Sequence, residues 1–255
     1  SRFITIVDMQ ARASLKAEAS KLQLSYIWWV LEPLLFVAVF YVVFSFFLKT
    51  GTENFVFFLM CGKVPFLWLS KTVTQASSSI LENKGLIAST RINKIIFPYV
   101  VVQEIVYKQW VVFLLLFTMA FYFGSTPSAL WVWLLPILLT NYLLIVGLSL
   151  ACALITTFFH DFKIVISMGM LLLMFVSGIF WDINNIQDEY WRNILITVNP
   201  LAFLIESYRD VLMYKQTPNV FHLSSLALIT ATSIFAMHIV FGKTNSNITQ
   251  RVLQS

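Results

Sequence analysis

The feature that most constrains this chain is a series of long apolar runs that contain few or no charged residues. Residues 129–159, for example, include no Lys, Arg, Asp or Glu. About 20 apolar residues are enough for a helix to cross a bilayer. Only 11% of the 255 residues are charged, whereas an ordinary soluble domain has roughly a quarter. The chain is therefore predicted to lie in a membrane, which excludes a soluble enzyme, a disordered chain and a disulfide scaffold.

Charged residues, Pro, Gly and Asn divide the apolar sequence into six predicted spans. These cover residues 27–48, 55–81, 95–123, 129–159, 164–181 and 221–242. Continuous apolar runs favour helices over barrel strands, in which apolar and polar residues alternate. We therefore predict an all-α membrane protein with six transmembrane helices in a single domain, residues 1–255.

Lys and Arg outside the spans indicate the orientation, because positively charged loops stay in the cytoplasm. Ten lie on the side of the two termini: Arg2, Arg12, Lys16, Lys21, Lys84, Arg91, Lys94, Lys163, Lys243 and Arg251. Four lie on the opposite side: Lys49, Arg192, Arg209 and Lys215. Both termini are therefore predicted to be cytoplasmic. The net charge of +5 then reflects topology and not nucleic-acid binding.

Two segments on the cytoplasmic side have an amphipathic pattern. Residues 1–25 repeat apolar side chains at helical spacing and carry too many charges for a signal peptide, so they predict a helix in the membrane interface. A second short helix is predicted between Gly85 and Pro98, to lie either on lipid or in a groove of a partner protein. In the first span, Glu32 precedes Pro33, and this carboxyl group has either a functional or a helix-packing role.

The fifth connection, residues 182–220, is the one long segment on the non-cytoplasmic side. Its apolar runs break at Asn199-Pro200, because Pro disfavours helical geometry in the residue before it. We predict two short re-entrant helices that form either a gate or a packed cap. Glu206, Arg209 and Asp210 have spacings that bring 206 and 209 or 210 onto neighbouring helical positions, so we expect this acidic-basic cluster to anchor the hairpin near the bilayer surface.

Metal and nucleotide sites are not expected in this chain. His160, His222 and His238 have no second ligand at metal spacing, and Cys61 and Cys152 lie in apolar stretches as expected for free buried thiols. The nearest approach to a phosphate-binding loop is Gly242-Lys243-Thr244, which has Met237 in place of the first Gly.

Four sequence motifs, in this order, resemble those of the membrane subunits of type-2 ABC exporters, in the O-antigen and capsular polysaccharide branch. They are LSYIWWVLEPLLF at 24–36 with Ser25 in place of Gly, ENKGLI...INKIIFP at 82–98, HDFK at 160–163 with His160 in place of Arg, and NPLAFLIESYRDVL at 199–212. The resemblance covers nearly the whole chain, and each motif lies on the side of the membrane that the charges predict.

The resemblance implies a homodimer in the bacterial inner membrane that exports a lipid-linked polysaccharide. Two copies of a separate cytoplasmic ATPase would bind ATP and Mg, so no cofactor is implied in this chain. Residues 82–94 would form the coupling helix against the ATPase, and the implied contact residues are Glu82, Asn83, Lys84, Leu86, Ile87, Ser89 and Arg91.

Two further residue sets are predicted for the substrate. Aromatic faces bind sugars without one fixed hydrogen-bond pattern, and the aromatic residues of the first span either line the path or face lipid: Tyr26, Trp28, Trp29, Phe36, Phe40 and Tyr41. The predicted periplasmic gate consists of Trp181, Asp182, Asn199, Pro200, Glu206 and Arg209.

Other functions stay open at this point. The substrate is an O-antigen, or alternatively a capsular or teichoic-acid-type polymer, or a small drug carried by the same fold. A channel or a membrane-embedded glycan enzyme would need no ATPase, so copurification of an ATPase subunit separates those two classes from an exporter.

Overall fold

The computed structural model of the chain describes residues 2–21, 25–43, 54–90 and 92–254. Within these ranges every regular element is helical and no β-strand occurs, which confirms the predicted all-α class. The helices are α1 (Arg2–Lys21), α2 (Ser25–Tyr41), α3 (Phe55–Glu82), α4 (Lys84–Ser89), α5 (Ile96–Tyr122), α6 (Leu134–Phe158), α7 (Phe162–Val176), α8 (Glu189–Val198), α9 (Pro200–Arg209) and α10 (Val220–Gln254). Short 3₁₀ turns cover Ala129–Trp133 and Ile183–Asn185, and a π-helical turn covers Asp210–Tyr214.

Four helical segments of the described chain are long and apolar enough to cross a membrane. They are Phe55–Glu82, Ile96–Tyr122, Ala129–Phe158 and Val220–Leu253. These segments correspond to four of the six predicted spans. Each contains at least 27 residues, and a helix rises about 1.5 Å per residue, so each exceeds the roughly 30 Å of a hydrocarbon core.

The other two predicted spans, 27–48 and 164–181, differ from the helices found. The last residues of the first span, 44–48, lie outside the described ranges. Helix α7 has 15 residues and ends at Val176, so it is shorter than the predicted span. It ends there because Gly178 has a φ of +71°, and a Cβ at that position would lie 2.6 Å from Cγ1 of Ile183. Residues 177–181 therefore turn back over the bundle.

Helix α10 extends beyond the predicted end of the last span at residue 242. It continues to Gln254 because an apolar stripe persists after the charged residue Lys243. Phe241, Ile248 and Val252 are all fully buried, and their spacing places them on one helix face. The tail of α10 therefore packs onto the end of the bundle that contains α4.

Helix α3 is the central helix of the bundle, and α2, α5, α6, α7 and α9 pack around it. The ring of Trp68 contacts Phe113 of α5 edge-on, with centroids 5.7 Å apart, and Tyr142 of α6 at 6.3 Å. The buried hydroxyl groups of α3 form hydrogen bonds within the helix; for example, Ser79 donates to the carbonyl of Ala76 at 2.7 Å. One rigid helix therefore contacts most of the other elements.

Helix α1 packs along α5. Val7 and Ala11 are buried, and the ring of Phe3 meets Tyr99 edge-on at 5.5 Å. The hydroxyl of Tyr107 donates to Asp8, and this bond, with Arg12 beside it, holds the pKa of Asp8 below its ordinary value. The apolar face of α1 therefore rests on protein, while Ile4 remains exposed.

Candidate functional site

Arg209 lies fully buried at the centre of the segment formed by α8, α9 and the π-helical turn, which we call the outer hairpin (residues 189–214). Its Nη2 donates hydrogen bonds to the carbonyl oxygens of Ile179 at 3.2 Å and Phe58 at 3.4 Å. Its guanidinium carbon lies 3.5 Å from the ring centroid of Phe58, and its Nη1 is 3.7 Å from Oε2 of Glu206. Arg209 therefore joins α9 to α3 and to the 177–181 turn.

The predicted Glu206–Arg209 pair forms, and it lies inside the protein. Arg209 is enclosed by protein, and Glu206 is 8% exposed. The reason is that α9 packs against α3, and the small residue Gly62 leaves room for the guanidinium. A Cβ at Gly62 would lie 3.1 Å from Nη2 of Arg209. The pair thus holds the hairpin against the bundle from the inside.

Asn199 and Pro200 form the corner between α8 and α9. The side-chain oxygen of Asn199 accepts from the backbone N–H groups of Leu201 at 3.1 Å and Ala202 at 3.2 Å, which caps α9. Pro200 occupies the first turn of α9, where a missing N–H does no harm. The Asn199 amide donates to Oγ of Ser177 at 2.9 Å, so this corner is tied to the turn that ends α7.

The remaining predicted gate residues lie near this corner. The amide of Asn184 donates to Oε1 of Glu206, and Asp182 accepts from the hydroxyl of Tyr214 at 3.1 Å. Trp181 donates to the carbonyl of Phe175 at 2.9 Å. Hydrogen bonds thus connect residues 175–184 to the outer hairpin.

Burial changes the acidity of two carboxyl groups in the outer hairpin. It raises the pKa of Asp210 to about 7, and the neighbouring carboxylates of Glu206 and Asp182 add to the rise. Burial likewise raises the pKa of Glu206, although the charge of Arg209 opposes the change. The hairpin therefore holds one carboxyl group, Asp210, whose charge changes near neutral pH.

The predicted coupling helix over 82–94 is shorter in the structure. Helix α4 contains only residues 84–89. It ends there because the backbone of Thr90 is extended, and the Thr90 hydroxyl donates to the carbonyl of Leu86 at 2.5 Å. Residues 92–95 form a turn before α5. Arg91 lies outside the described ranges.

The seven predicted coupling residues do not share one environment. Ile87 is buried in a cluster with Phe241 and Val252 of α10, whereas Leu86 is 36% exposed. Lys84 is half-buried and Ser89 is exposed. Ile87 therefore fixes α4 to the bundle, whereas Glu82, Leu86 and Ser89 are exposed.

The helix junction beside α4 is held by polar contacts. Glu82 accepts from the hydroxyl of Ser78 at 2.6 Å and lies 4.0 Å from Nζ of Lys163. The amide of Asn83 donates to the carbonyl of Ser79 at 2.7 Å. A cavity of about 580 Å³ opens next to Glu82 and Leu86, between α1, α3 and α5. The end of α3 thus borders a cavity on the side predicted to be cytoplasmic.

The predicted aromatic path is described only in part. Trp28 and Tyr41 are 48% and 40% exposed, so neither is part of the core of the protomer. The side chains of the other four lie outside the described part of the structure: Tyr26, Trp29, Phe36 and Phe40.

Sequence reasoning missed two lysines on α3. Lys71 forms an ion pair with Glu32 of α2, which answers the question of a partner for that carboxylate. Lys63 is buried, with Nζ 3.5 Å from the sulfur of Met174 and 5.1 Å from the ring centroid of Phe66. Both lysines lie in a predicted span, and a charged residue there is a signal of a special role.

Comparison with known proteins adds to this geometry. The sequence model of the family described as ABC-2 type transporter matches residues 12–213. The O-antigen export system permease protein RfbA of Klebsiella pneumoniae is 28% identical over 203 residues, which cover 78% of this chain and 76% of that protein.

Two further relatives extend over more of the chain. RfbA of Myxococcus xanthus, also named an O-antigen export system permease protein, is 24% identical over 227 residues, 89% of this chain and 87% of that protein. The polysialic acid transport protein KpsM of Escherichia coli is 25% identical over 230 residues, 87% of this chain and 86% of that protein.

Proposed function

Because the chain belongs to the ABC-2 type transporter family, we propose that it is the membrane subunit of an ATP-driven exporter of a lipid-linked polysaccharide of the O-antigen class. The observation that carries this proposal is the similarity to O-antigen export permeases along up to 89% of the chain. A chain this apolar, with long helices and no phosphate-binding loop in its sequence, suits a subunit that forms the path and leaves ATP hydrolysis to a partner.

The complex that we propose contains two copies of this chain and two copies of a cytoplasmic ABC ATPase, which binds ATP and Mg. It lies in the bacterial inner membrane, with six spans per copy and both termini in the cytoplasm. Helices α2 and α7 supply the two spans beyond the four long helices. They line the path at the contact between the two copies.

The exposed face of α7 supports this dimer arrangement. Only Ile166 and Met170 of α7 are buried, and large apolar side chains cover its other faces: Ile164, Val165, Met168, Leu171, Leu172 and Phe175. An apolar surface of this kind packs against lipid or against another protein surface. A second copy covering part of it would create a path with apolar walls.

Coupling to ATP hydrolysis follows from the position of α3. Its last residue, Glu82, adjoins α4, while Phe58 at its other end accepts a hydrogen bond from Arg209. The 28 residues of α3 span about 42 Å. A push on α4 by the ATPase would move α3 as a rigid body and displace the outer hairpin at the far end.

The outer hairpin is the proposed gate. Its contacts to the bundle run through α9, in which residues 201–209 are all buried, whereas no residue of α8 is buried. Helix α8 can therefore separate from the bundle at a smaller cost than α9. Closed, it covers the outer end of the path.

Deletion of the gene, with complementation from a plasmid, tests this function. We expect deletion to remove surface polysaccharide while the lipid-linked polymer accumulates in the inner membrane, as measured by gel electrophoresis of separated membrane fractions. Complementation should restore display. Unchanged surface polysaccharide after deletion would refute the proposal.

A copurification experiment tests the partner. A tagged copy of this chain, solubilised in mild detergent, should bring down an ABC ATPase, and the variant Leu86→Asp should bring down less because a charge replaces an apolar contact. An ATPase with a C-terminal sugar-binding domain would favour an O-antigen. Export of a capsular or teichoic-acid-type polymer is the second candidate, and the similarity to KpsM favours the capsular form.

A further inference from the structure

A small polar pocket lies in the outer hairpin, away from α2 and α7. It has a volume of about 240 Å³ and opens between α8, α9, the π-helical turn and the start of α10. Its polar groups come from each of these elements and include Asn193, Thr197, Glu206, Asp210 and His222. Four elements that are adjacent in the chain thus direct hydrogen-bonding groups into one space.

Glu206 is a fixed part of the pocket wall. It is more than nine-tenths buried, and its Oε1 accepts from Asn184. Its Oε2 is buried and pairs with Nη1 of Arg209 at 3.7 Å. Both oxygens therefore have partners in the protein, and Asp210 is the carboxyl group of the pocket that is left for a ligand.

The pocket wall is held in place before any ligand binds. The imidazole ring of His222 stacks on Phe203 with centroids 4.1 Å apart and planes at 15°. The backbone N–H of His222 donates to Asn219 at 3.1 Å, and Ser207 donates to the Phe203 carbonyl at 2.8 Å. Such fixed groups lower the cost of ordering the site on binding.

The polar groups indicate the class of ligand. Two carboxyl groups disfavour an anion. No group of three or more His, Cys, Asp or Glu residues in the described chain is arranged to hold a metal ion, which disfavours a bound cation. Carboxyl oxygens beside amide and hydroxyl groups suit a ligand with several hydroxyls. The volume is below the roughly 300 Å³ of the smallest drug-sized pockets, so it suits a single ring.

We propose that this pocket binds one neutral sugar unit of the exported polysaccharide at the outer face of the protein. The inference rests on the proposed function and adds a sugar-binding pocket that lies outside the predicted aromatic path. Asp210 would accept a hydrogen bond from a sugar hydroxyl, and Asn193 would donate from its amide. A sugar held here would bridge α8 and α10, and so would bias the hairpin toward one position.

The test is saturation-transfer NMR on the full-length chain with its ATPase in lipid nanodiscs. The probes are free glucose, galactose, mannose and N-acetylglucosamine. We expect at least one sugar to give a signal, and Asp210→Asn to weaken its binding about tenfold, the effect of losing a hydrogen bond to a charged group. Asn193→Ala changes an exposed pocket residue and should also weaken binding without a risk to folding. Glu189→Gln is the matched control, because Glu189 lies on the same helix and pairs with Arg192 at 3.7 Å outside the pocket.

Each outcome decides the proposal. Signals that fall in the two pocket variants and persist in the control support it. No signal for any of the four sugars, or signals equal in all variants, would overturn it, as would Ca²⁺ binding that is lost in Asp210→Asn without sugar binding. The gene deletion described above tests the exporter function separately, because export without sugar binding refutes the pocket alone, while polysaccharide display after deletion refutes the function.

Discussion

Replacement of Arg209 by Met tests the interior of the outer hairpin most directly. The variant keeps a long side chain but removes the charge beside Glu206, the hydrogen bonds to the carbonyls of Phe58 and Ile179, and the contact over the Phe58 ring. Because these contacts connect α9 to α3 and to the 177–181 turn, we expect the hairpin to loosen while the long helices stay inserted.

The size of the effect follows from the burial of the pair. Loss of one partner of a buried ion pair costs about 3–5 kcal/mol, since the other charge stays buried without compensation. A domain of 150–250 residues loses about 2–4 °C in Tm for each kcal/mol. We therefore expect Arg209→Met to lower the Tm by roughly 10 °C.

The assay is thermal unfolding of the purified protein in detergent, followed by intrinsic tryptophan fluorescence. The double variant Arg209→Met with Glu206→Gln supplies the control, because it removes both charges and should be more stable than Arg209→Met alone. Arg192→Met, which removes a half-buried arginine of the same hairpin from a pair at 3.7 Å with the exposed Glu189, should change the Tm by less than about 2 °C. A single Arg209→Met variant as stable as the parent, or a double variant less stable than the single one, would refute the buried-pair argument.

Three other predictions concern single positions. Gly62→Ala should lower the Tm, because its Cβ would lie 3.1 Å from Arg209 and 3.2 Å from the backbone of Ile179; an unchanged melting curve would contradict this close packing. Ile87→Asp should unfold the α4–α10 contact and reduce the amount of protein in the membrane, whereas Leu86→Asp should leave that amount unchanged and reduce export; immunoblots and surface polysaccharide gels distinguish these effects, and equal membrane levels would be the contrary result. The pKa of Asp210 rises from 3.8 to about 7 in the folded protein. The stability that the protonated carboxyl group contributes is therefore fully present below pH 3.8 and is lost as the pH rises to about 7. The Tm of the parent protein should therefore fall between pH 5 and pH 8, and the Tm of Asp210→Asn should fall less. An equal fall in both proteins would count against a role for Asp210.

The long helices were predictable from the sequence because lipid imposes a simple requirement. A run such as 129–159 has no charge to place in water, so a helix that satisfies its own backbone is the available structure. The corner at Asn199-Pro200 was predictable for a similar local reason, since Asn caps a helix and Pro begins one. The end of α10 was not, because it depends on contacts with residues far along the chain.

What the sequence determines by itself is therefore the helical class, the apolar segments and the local signals at their ends, because each depends on neighbouring residues alone. The tertiary structure decides which charges are buried and what they contact. Arg209 illustrates the difference, since its carbonyl partners come from Phe58 and Ile179, 151 and 30 residues away. Likewise Ile87 and Leu86 are adjacent apolar residues in the sequence, and only the packing of α10 makes one of them core and leaves the other exposed. A side chain's environment is set by the elements that pack around it, and the order of residues in the chain does not contain that information locally.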